Sequence, residues 1–195
     1  MPPPLIVIGG SAGALPALLK LVPVLPPDFP APLLLVVHTL ADQPSYLPQL
    51  LTHAGPLPAR HARHGDRLQP GSIAVAPPDH HLLVVDDHLH LSRGPKENLA
   101  RPAIDVLFRS AAEAYGVQVI GVLLSGMLND GTSGLWTVGQ LGGRTLVQHP
   151  EPGGGRVLRD ASECPAPCGG ESNPADPRDR PPAGRPASAD DRRGR

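Results

Sequence analysis

The sequence predicts an α/β fold: a doubly wound, mostly parallel sheet with a small antiparallel hairpin near residues 72–92. Three observations carry that expectation. Short, continuously apolar runs such as Leu5-Ile6-Val7-Ile8, Leu33–Val37 and residues 117–124 read as strands buried on both faces. Stretches whose apolar residues recur at helical spacing stand between those runs. Glycine, proline and polar residues mark the exits from each run.

In chain order, the first run ends at Gly9-Gly10, and Ala14, Leu15, Leu18, Leu19 and Val22 then follow helical spacing. Pro16 is tolerable there only in a first turn, and Pro23 ends the element. Leu33–Val37 is the second strand, followed by a helical stretch over 45–54 that Gly55 closes. In the middle, residues 72–75 precede Ala76-Pro77-Pro78, and the runs 82–85 and 88–91 flank Asp86-Asp87 as a hairpin turn. An antiparallel insertion or a sheet edge is expected across this region. Arg101-Pro102 opens the clearest helix, because Ile104, Leu107, Phe108, Ala111, Ala112 and Tyr115 form one stripe and Gly116 is placed to cap it. Residues 117–124 form the next buried strand, 125–131 its exit loop, 135–141 a helix, and 145–148 the last strand.

A chain of 195 residues fits one ordinary domain. Aromatics are only 3%, so the core must be built from Leu, Val, Ile and Ala. A net charge of −1 supplies no field to recruit nucleic acid or anionic lipid, so neither is an expected partner. Every apolar run falls well short of the ~20 residues a membrane span requires. The Met1-Pro2-Pro3-Pro4 start carries no basic region, so it does not read as a signal peptide, and a soluble, cytoplasmic protein is expected. Cys164 and Cys168 are the only cysteines, too few and too close for a disulfide framework. Beyond residue 149 the composition changes: 150–195 holds nine prolines, seven glycines, eight arginines and only two residues from Val, Leu, Ile and Phe. Such a stretch cannot offset the ~1–2 kcal/mol per residue of backbone ordering entropy. The expected organisation is a folded domain over 1–149 and a disordered tail over 150–195.

In an open parallel sheet, reacting groups collect beyond the C-terminal strand ends. Three such exits carry suitable residues: Ser11 in Gly9-Gly10-Ser11-Ala12-Gly13, His38 after the second strand, and Asp130 after the strand over 117–124. Together they supply a nucleophile, a general base and the carboxylate that orients the base. Each has a plainer reading. Ser11 could cap the next helix, His38 could be a hydrogen-bonded strand-end histidine, and Asn129-Asp130-Gly131 is ordinary turn chemistry. The first segment also resembles a dinucleotide fingerprint, but Ser11 and Ala14 stand where glycines are required, and no P-loop Lys follows. The pairs His61 and His64, His80 and His81, and His88 and His90 have no clustered thiolate or carboxylate partner, so no metal site is expected. Backbone amides of the 125–131 loop could serve as an oxyanion site.

Taken in order, several segments resemble the catalytic domain of CheB-type chemotaxis protein-glutamate methylesterases, over about residues 5–149. They are Ile8-Gly9-Gly10-Ser11-Ala12-Gly13, the strand ending at His38, Val75-Ala76-Pro77-Pro78-Asp79-His80-His81, Arg101-Pro102 with Asp105-Val106-Leu107-Phe108-Arg109-Ser110-Ala111-Ala112, and Leu124-Ser125-Gly126-Met127-Leu128-Asn129-Asp130-Gly131. The resemblance implies Ser11 as nucleophile, His38 as general base, Asp130 as orienting carboxylate, and the Met127 N–H, helped by that of Ala12, as the oxyanion site. It implies no cofactor. The implied substrate is a glutamate methyl ester on the cytoplasmic helices of methyl-accepting chemoreceptors, with glutamine deamidation as a companion activity in many members. Many members carry a receiver domain ahead of this region, whereas here the first strand begins at residue 5, so a separate receiver protein becomes the expected regulator. The family's Gly-Met-Pro-like segment and final helix have no counterpart after 149, which suggests a frameshifted or degenerate terminus. Two other readings remain open: a non-catalytic receptor-binding pseudo-enzyme that lost activity with that segment, and a nucleotide-binding module.

Overall fold

The elements are, in chain order, β1 (Leu5–Gly10), α1 (Leu15–Leu21), β2 (Leu33–Val37), α2 (Leu47–Ala54), β3 (Ala59–His61), β4 (Ile73–Val75), β5 (His81–Val85), β6 (His88–Ser92), α3 (Ile104–Tyr115), β7 (Val119–Leu123), α4 (Thr132–Gln140), β8 (Arg144–Val147) and β9 (Arg159–Asp160). The computed structural model describes residues 4–41, 43–124, 129–148 and 159–160, all within the unit formed by residues 1–164. The main sheet runs β3-β4-β2-β1-β7-β8-β9, with six strands parallel and β9 antiparallel to β8. From β1 the chain builds outward through β2, then returns to lay β7 on the other side of β1. Such a reversal of strand order is where open α/β sheets bind ligands, here beyond the C-terminal ends of β1, β2 and β7.

The central strands are apolar on both faces because both faces are covered. Leu5 and Val7 of β1, with Leu34 and Val36 of β2, enter a core completed by α3, α4 and the β5–β6 hairpin. Ile8, Leu33, Leu35 and Val37 point the opposite way, into a core completed by Leu18 of α1 and Leu47 and Leu51 of α2. The alternation of side chains along a strand divides the continuous runs between these two layers. Among the described residues no helix is long and apolar enough to cross a membrane.

The close fit at the sheet's rim depends on the glycine pair. A Cβ at Gly9 would lie 2.2 Å from Ile104 Cγ2, and one at Gly10 would lie 2.4 Å from the Ala14 Cβ. Bare backbone at these positions lets the first turn of α3 sit over the end of β1 and lets the chain turn sharply into the next element.

The expected antiparallel hairpin is formed by β5 and β6, with Leu82 opposite Leu91 and Val84 opposite Leu89. Residues 73–75 instead form β4, in parallel register with β2, because all three are buried and belong inside the main sheet. β3 has no apolar run; its pairing beside β4 makes it an edge strand. The hairpin packs on α3, where the Ser110 hydroxyl oxygen accepts from the Val84 amide at 3.1 Å. Near the other edge, Arg159 pairs with Val147 and Asp160 with Leu146, so two residues of the stretch expected to stay outside the fold extend the sheet. The rest of 150–195, with Cys164 and Cys168, lies outside the described residues.

Candidate active site

Strand register brings the first two groups together. Gly10 pairs with Val37, and the His38 amide donates to the Gly10 carbonyl at 3.1 Å. Ser11 and His38 are therefore the next residues along neighbouring strands, which lie about 4.8 Å apart. Ser11 is extended (φ −90°, ψ −174°) and its hydroxyl makes no capping bond to the 3₁₀ turn Ala12–Ala14. The capping role its residue type allows is not the one it plays. The Leu124 amide donates to Gly9 O at 2.8 Å, which carries the exit of β7 to the same rim.

Asp130 completes the arrangement. His38 Nε2 lies 2.7 Å from Asp130 Oδ2, and the same oxygen accepts from the Ile104 amide at 2.7 Å. Oδ1 accepts from the Asp105 amide at 3.0 Å and from Asn98 Nδ2 at 3.1 Å. The Asp130 side chain is 0% exposed and that of His38 20%. Burial pushes the carboxyl's pKa up, but the bonds from His38, Ile104, Asp105 and Asn98 outweigh it, and the group is held below the ordinary carboxylate range. An ionised carboxylate only accepts, so His38 Nε2 carries the proton in this contact. In the neutral ring the lone pair is then on Nδ1.

Asp130 does not cap the helix that follows it. Its acceptors serve the first amides of α3, whose N-cap residue Ala103 offers no side-chain bond. Asp105 in α3 returns the service, accepting at Oδ1 from the Gly131 amide at 3.0 Å and the Gly134 amide at 2.6 Å at the start of α4. The two helix starts are thus capped across each other, and each carboxylate also meets the positive end of a helix dipole. Asn98 bridges them, its Nδ2 also donating to Asp105 Oδ2 at 2.8 Å.

A frame of ionic and backbone contacts fixes the segment between β6 and α3. Arg101 donates to Asp79 Oδ1 from Nε at 2.9 Å and Nη2 at 2.6 Å, and to the Gly94 carbonyl at 2.7 Å. Bonds from Arg93 and Arg101 pull the Asp79 carboxyl down to about 2. His81 is buried: its Nδ1 accepts from the Ala103 amide at 3.2 Å while Nε2 donates to the Pro95 carbonyl at 2.9 Å. Both nitrogens are occupied in holding this frame.

The remaining histidines form no comparable site. His61 Nε2 meets the Ser45 carbonyl at 3.1 Å, His80 Nδ1 the Pro78 carbonyl at 2.9 Å, and the His64 and His90 rings lie 4.7 Å apart. Among the described residues no group of three or more His, Cys, Asp or Glu could hold a metal ion. Of the expected oxyanion donors, Ala12 opens the turn directly after Ser11, whereas Met127 lies outside the described residues. Asn98 and Asp105 escaped the sequence reading as site residues. Asp105 left one signal, an acid inside an apolar helical stripe, which passes for an ordinary first-turn carboxylate. Asn98 left none.

The family model for CheB methylesterase matches residues 6–153. A protein-glutamate methylesterase/protein-glutamine glutaminase of Anaeromyxobacter dehalogenans is 41% identical over 143 residues, covering 73% of this chain and 42% of that protein. A putative protein of the same name from Leptospira interrogans is 37% identical over 146 residues, 74% of this chain and 76% of its own. The crystal structure of the Thermotoga maritima CheB methylesterase catalytic domain matches with a TM-score of 0.70 at 34% identity, covering 74% of this chain and 79% of that one. The chain spans about two fifths of the length of several relatives it matches, 42% in the Anaeromyxobacter case. With three fourths of the sequence accounted for by one family model and the same sheet found in a solved catalytic domain, the chain belongs to the CheB methylesterase family.

Proposed function

We propose that this chain is a protein-glutamate methylesterase, a serine hydrolase that removes methyl esters from glutamate side chains on the cytoplasmic helices of chemoreceptors. The observation that carries the reading is the 2.7 Å contact between His38 and a buried, ionised Asp130 at the strand end beside Ser11. With Nε2–H committed to Asp130, His38 Nδ1 accepts the Ser11 hydroxyl proton as Oγ attacks the ester carbonyl. Asp130 steadies the imidazolium that forms. The oxyanion rests on main-chain amides, Met127 N–H with that of Ala12. His38 returns the proton to the departing methoxide, which leaves as methanol. Water then attacks the acyl-enzyme with His38 again as base, releasing the glutamate carboxylate and restoring Ser11.

The same acyl-enzyme formed from a glutamine side chain would release ammonia, which fits the double name its relatives carry. The cytoplasm is the compartment this reading expects. A non-catalytic receptor-binding module is the weaker reading, because capping α3 calls for the Asp130 carboxylate alone and not for a histidine bonded to it beside Ser11. The test is methanol release from a methylated chemoreceptor signalling domain. Wild type is expected to turn over, with Ser11 labelled by an active-site phosphonate in the intact-mass spectrum, and Ser11→Ala to lose about a million-fold in kcat. Undiminished methanol release by Ser11→Ala would end the proposal.

A further inference from the structure

We infer that Asn98 is a positioning residue for this reaction: its side-chain amide, presented by the tight turn 97–100, ties the Asp130 carboxylate to Asp105 and so keeps Asp130 aimed at His38. The inference rests on the roles proposed above for Ser11, His38 and Asp130.

The chemistry at this point is restrictive. Asp105 and Asp130 are each only 3% exposed, and one nitrogen, Asn98 Nδ2, reaches both, at 2.8 Å and 3.1 Å. A carboxamide is the side chain that offers two N–H bonds from one atom while adding no charge. A hydroxyl has one donor. A lysine or arginine would neutralise the carboxylates and weaken the field that Asp130 exerts on His38. Two buried acids in proximity disfavour each other's ionised form unless donors stand between them.

The backbone is shaped to deliver that amide. The Glu97 amide donates to the Ala100 carbonyl at 3.2 Å and the Ala100 amide to the Glu97 carbonyl at 2.8 Å, closing a two-residue turn. Both central residues are left-handed, Asn98 at φ 49° and Leu99 at φ 63°. Asparagine accepts that conformation readily, but leucine does not, and Leu99 is 88% exposed, so packing returns nothing for its strain. The strain is maintained by the surroundings: Arg109 of α3 binds Glu97 at 2.6 Å, and Arg101 and Pro95 are anchored to Asp79 and His81. Folding stability alone would favour glycine at 99. What the turn gains by its shape is the placement of Asn98.

The titratable groups facing Asp130 are His38 from the end of β2 and Asp105 from α3. Beyond them Glu97 is paired with Arg109, and Asp79 with Arg101 and Arg93. Deleting the Asn98 amide, or replacing it with a carboxylate, makes the charged Asp130–His38 pair less stable relative to its protonated form. The pair then takes up its proton at a higher pH. A residue that merely supported the loop would not order the variants this way.

The experiment uses the full chain and compares wild type with Asn98→Gly, Asn98→Asp and Leu99→Gly. Glycine and aspartate both accept the left-handed turn, so backbone strain is not what changes. The pH dependence of kcat/KM on a methylated receptor domain is measured beside the pH titration of the His38 ring by NMR. The acid limb and the NMR midpoint are expected to move upward in the order wild type, Asn98→Gly, Asn98→Asp. At neutral pH, Asn98→Gly loses about tenfold in kcat with KM within twofold, and Leu99→Gly matches wild type. Coincident midpoints in wild type and folded Asn98→Gly would overturn the inference, as would a loss confined to KM. If Asn98→Asp does not fold, the Asn98→Gly shift decides alone. If wild type shows no turnover while the NMR order holds, the positioning stands and the esterase reading falls.

Discussion

The two sides of the site are held by different means. Ser11 and His38 follow directly on β1 and β2, and their placement comes from backbone pairing between those strands. Asp130 stands at the far end of the loop after β7 and is gripped by donors from His38, α3 and the 97–100 turn, with its side chain 0% exposed. The division matches what each group must do. In the proposed mechanism nucleophile and base exchange protons and partners during turnover, which suits groups placed at the rim of the sheet. The carboxylate keeps one set of partners throughout and gains from rigidity, since a preorganised charge needs no rearrangement as the transition state forms.

The sharpest way to break this contrast is Asp130→Asn. Either orientation of the substituted amide sets an NH2 group against an α3 amide, and the orientation that turns the NH2 toward His38 also forces the other tautomer on its ring. A kcat loss of about 10⁴ is expected in steady-state assays, with little change in far-UV circular dichroism. Asp105→Ala comes next, and it tests the gripped side without touching the reacting groups. It leaves the Gly131 and Gly134 amides buried without their acceptor, so urea unfolding should show a loss of about 2–3 kcal/mol. Unchanged stability would mean that the crossed capping does not matter. The smallest effect is on acid stability. The folded-state pKa of Asp130 lies below the ordinary carboxylate value of 3.8, so its contribution is fully present above that value and fades as pH falls through the lower folded one. The part of the stability difference between wild type and Asp130→Asn that comes from this carboxylate should therefore shrink as pH falls below about 4.

The contrast also explains which parts of the molecule were legible in the sequence. β1, β2 and β7 stood out because burial on both faces demands uninterrupted apolar runs, and the polar residue ending each run marked the rim. α3 stood out through its stripe and Gly116, which is left-handed at φ 50°. β3 did not, because Ala59-Arg60-His61 at a sheet edge has no apolar run to detect. β4 reads with the hairpin that follows it, since three apolar residues carry no sign of which strand they will pair with. On the gripped side, only Asp130 could be found. Its partners are two backbone amides and a loop asparagine, and no periodicity records those. The exchange of caps between α3 and α4 joins positions 25 to 29 residues apart, beyond the reach of any local pattern.

Because α3 donates its first amides to Asp130, whatever seats that helix also governs the chemistry at its tip. Leu107 and Phe108 are fully buried one turn further along and touch no reacting atom. A collection of inactive variants would nonetheless gather these positions beside Ser11, mixing chains that cannot react with chains whose acid has drifted from its histidine. Under the proposed reaction, lost activity is no guide to where the bond is cut until folding has been measured too.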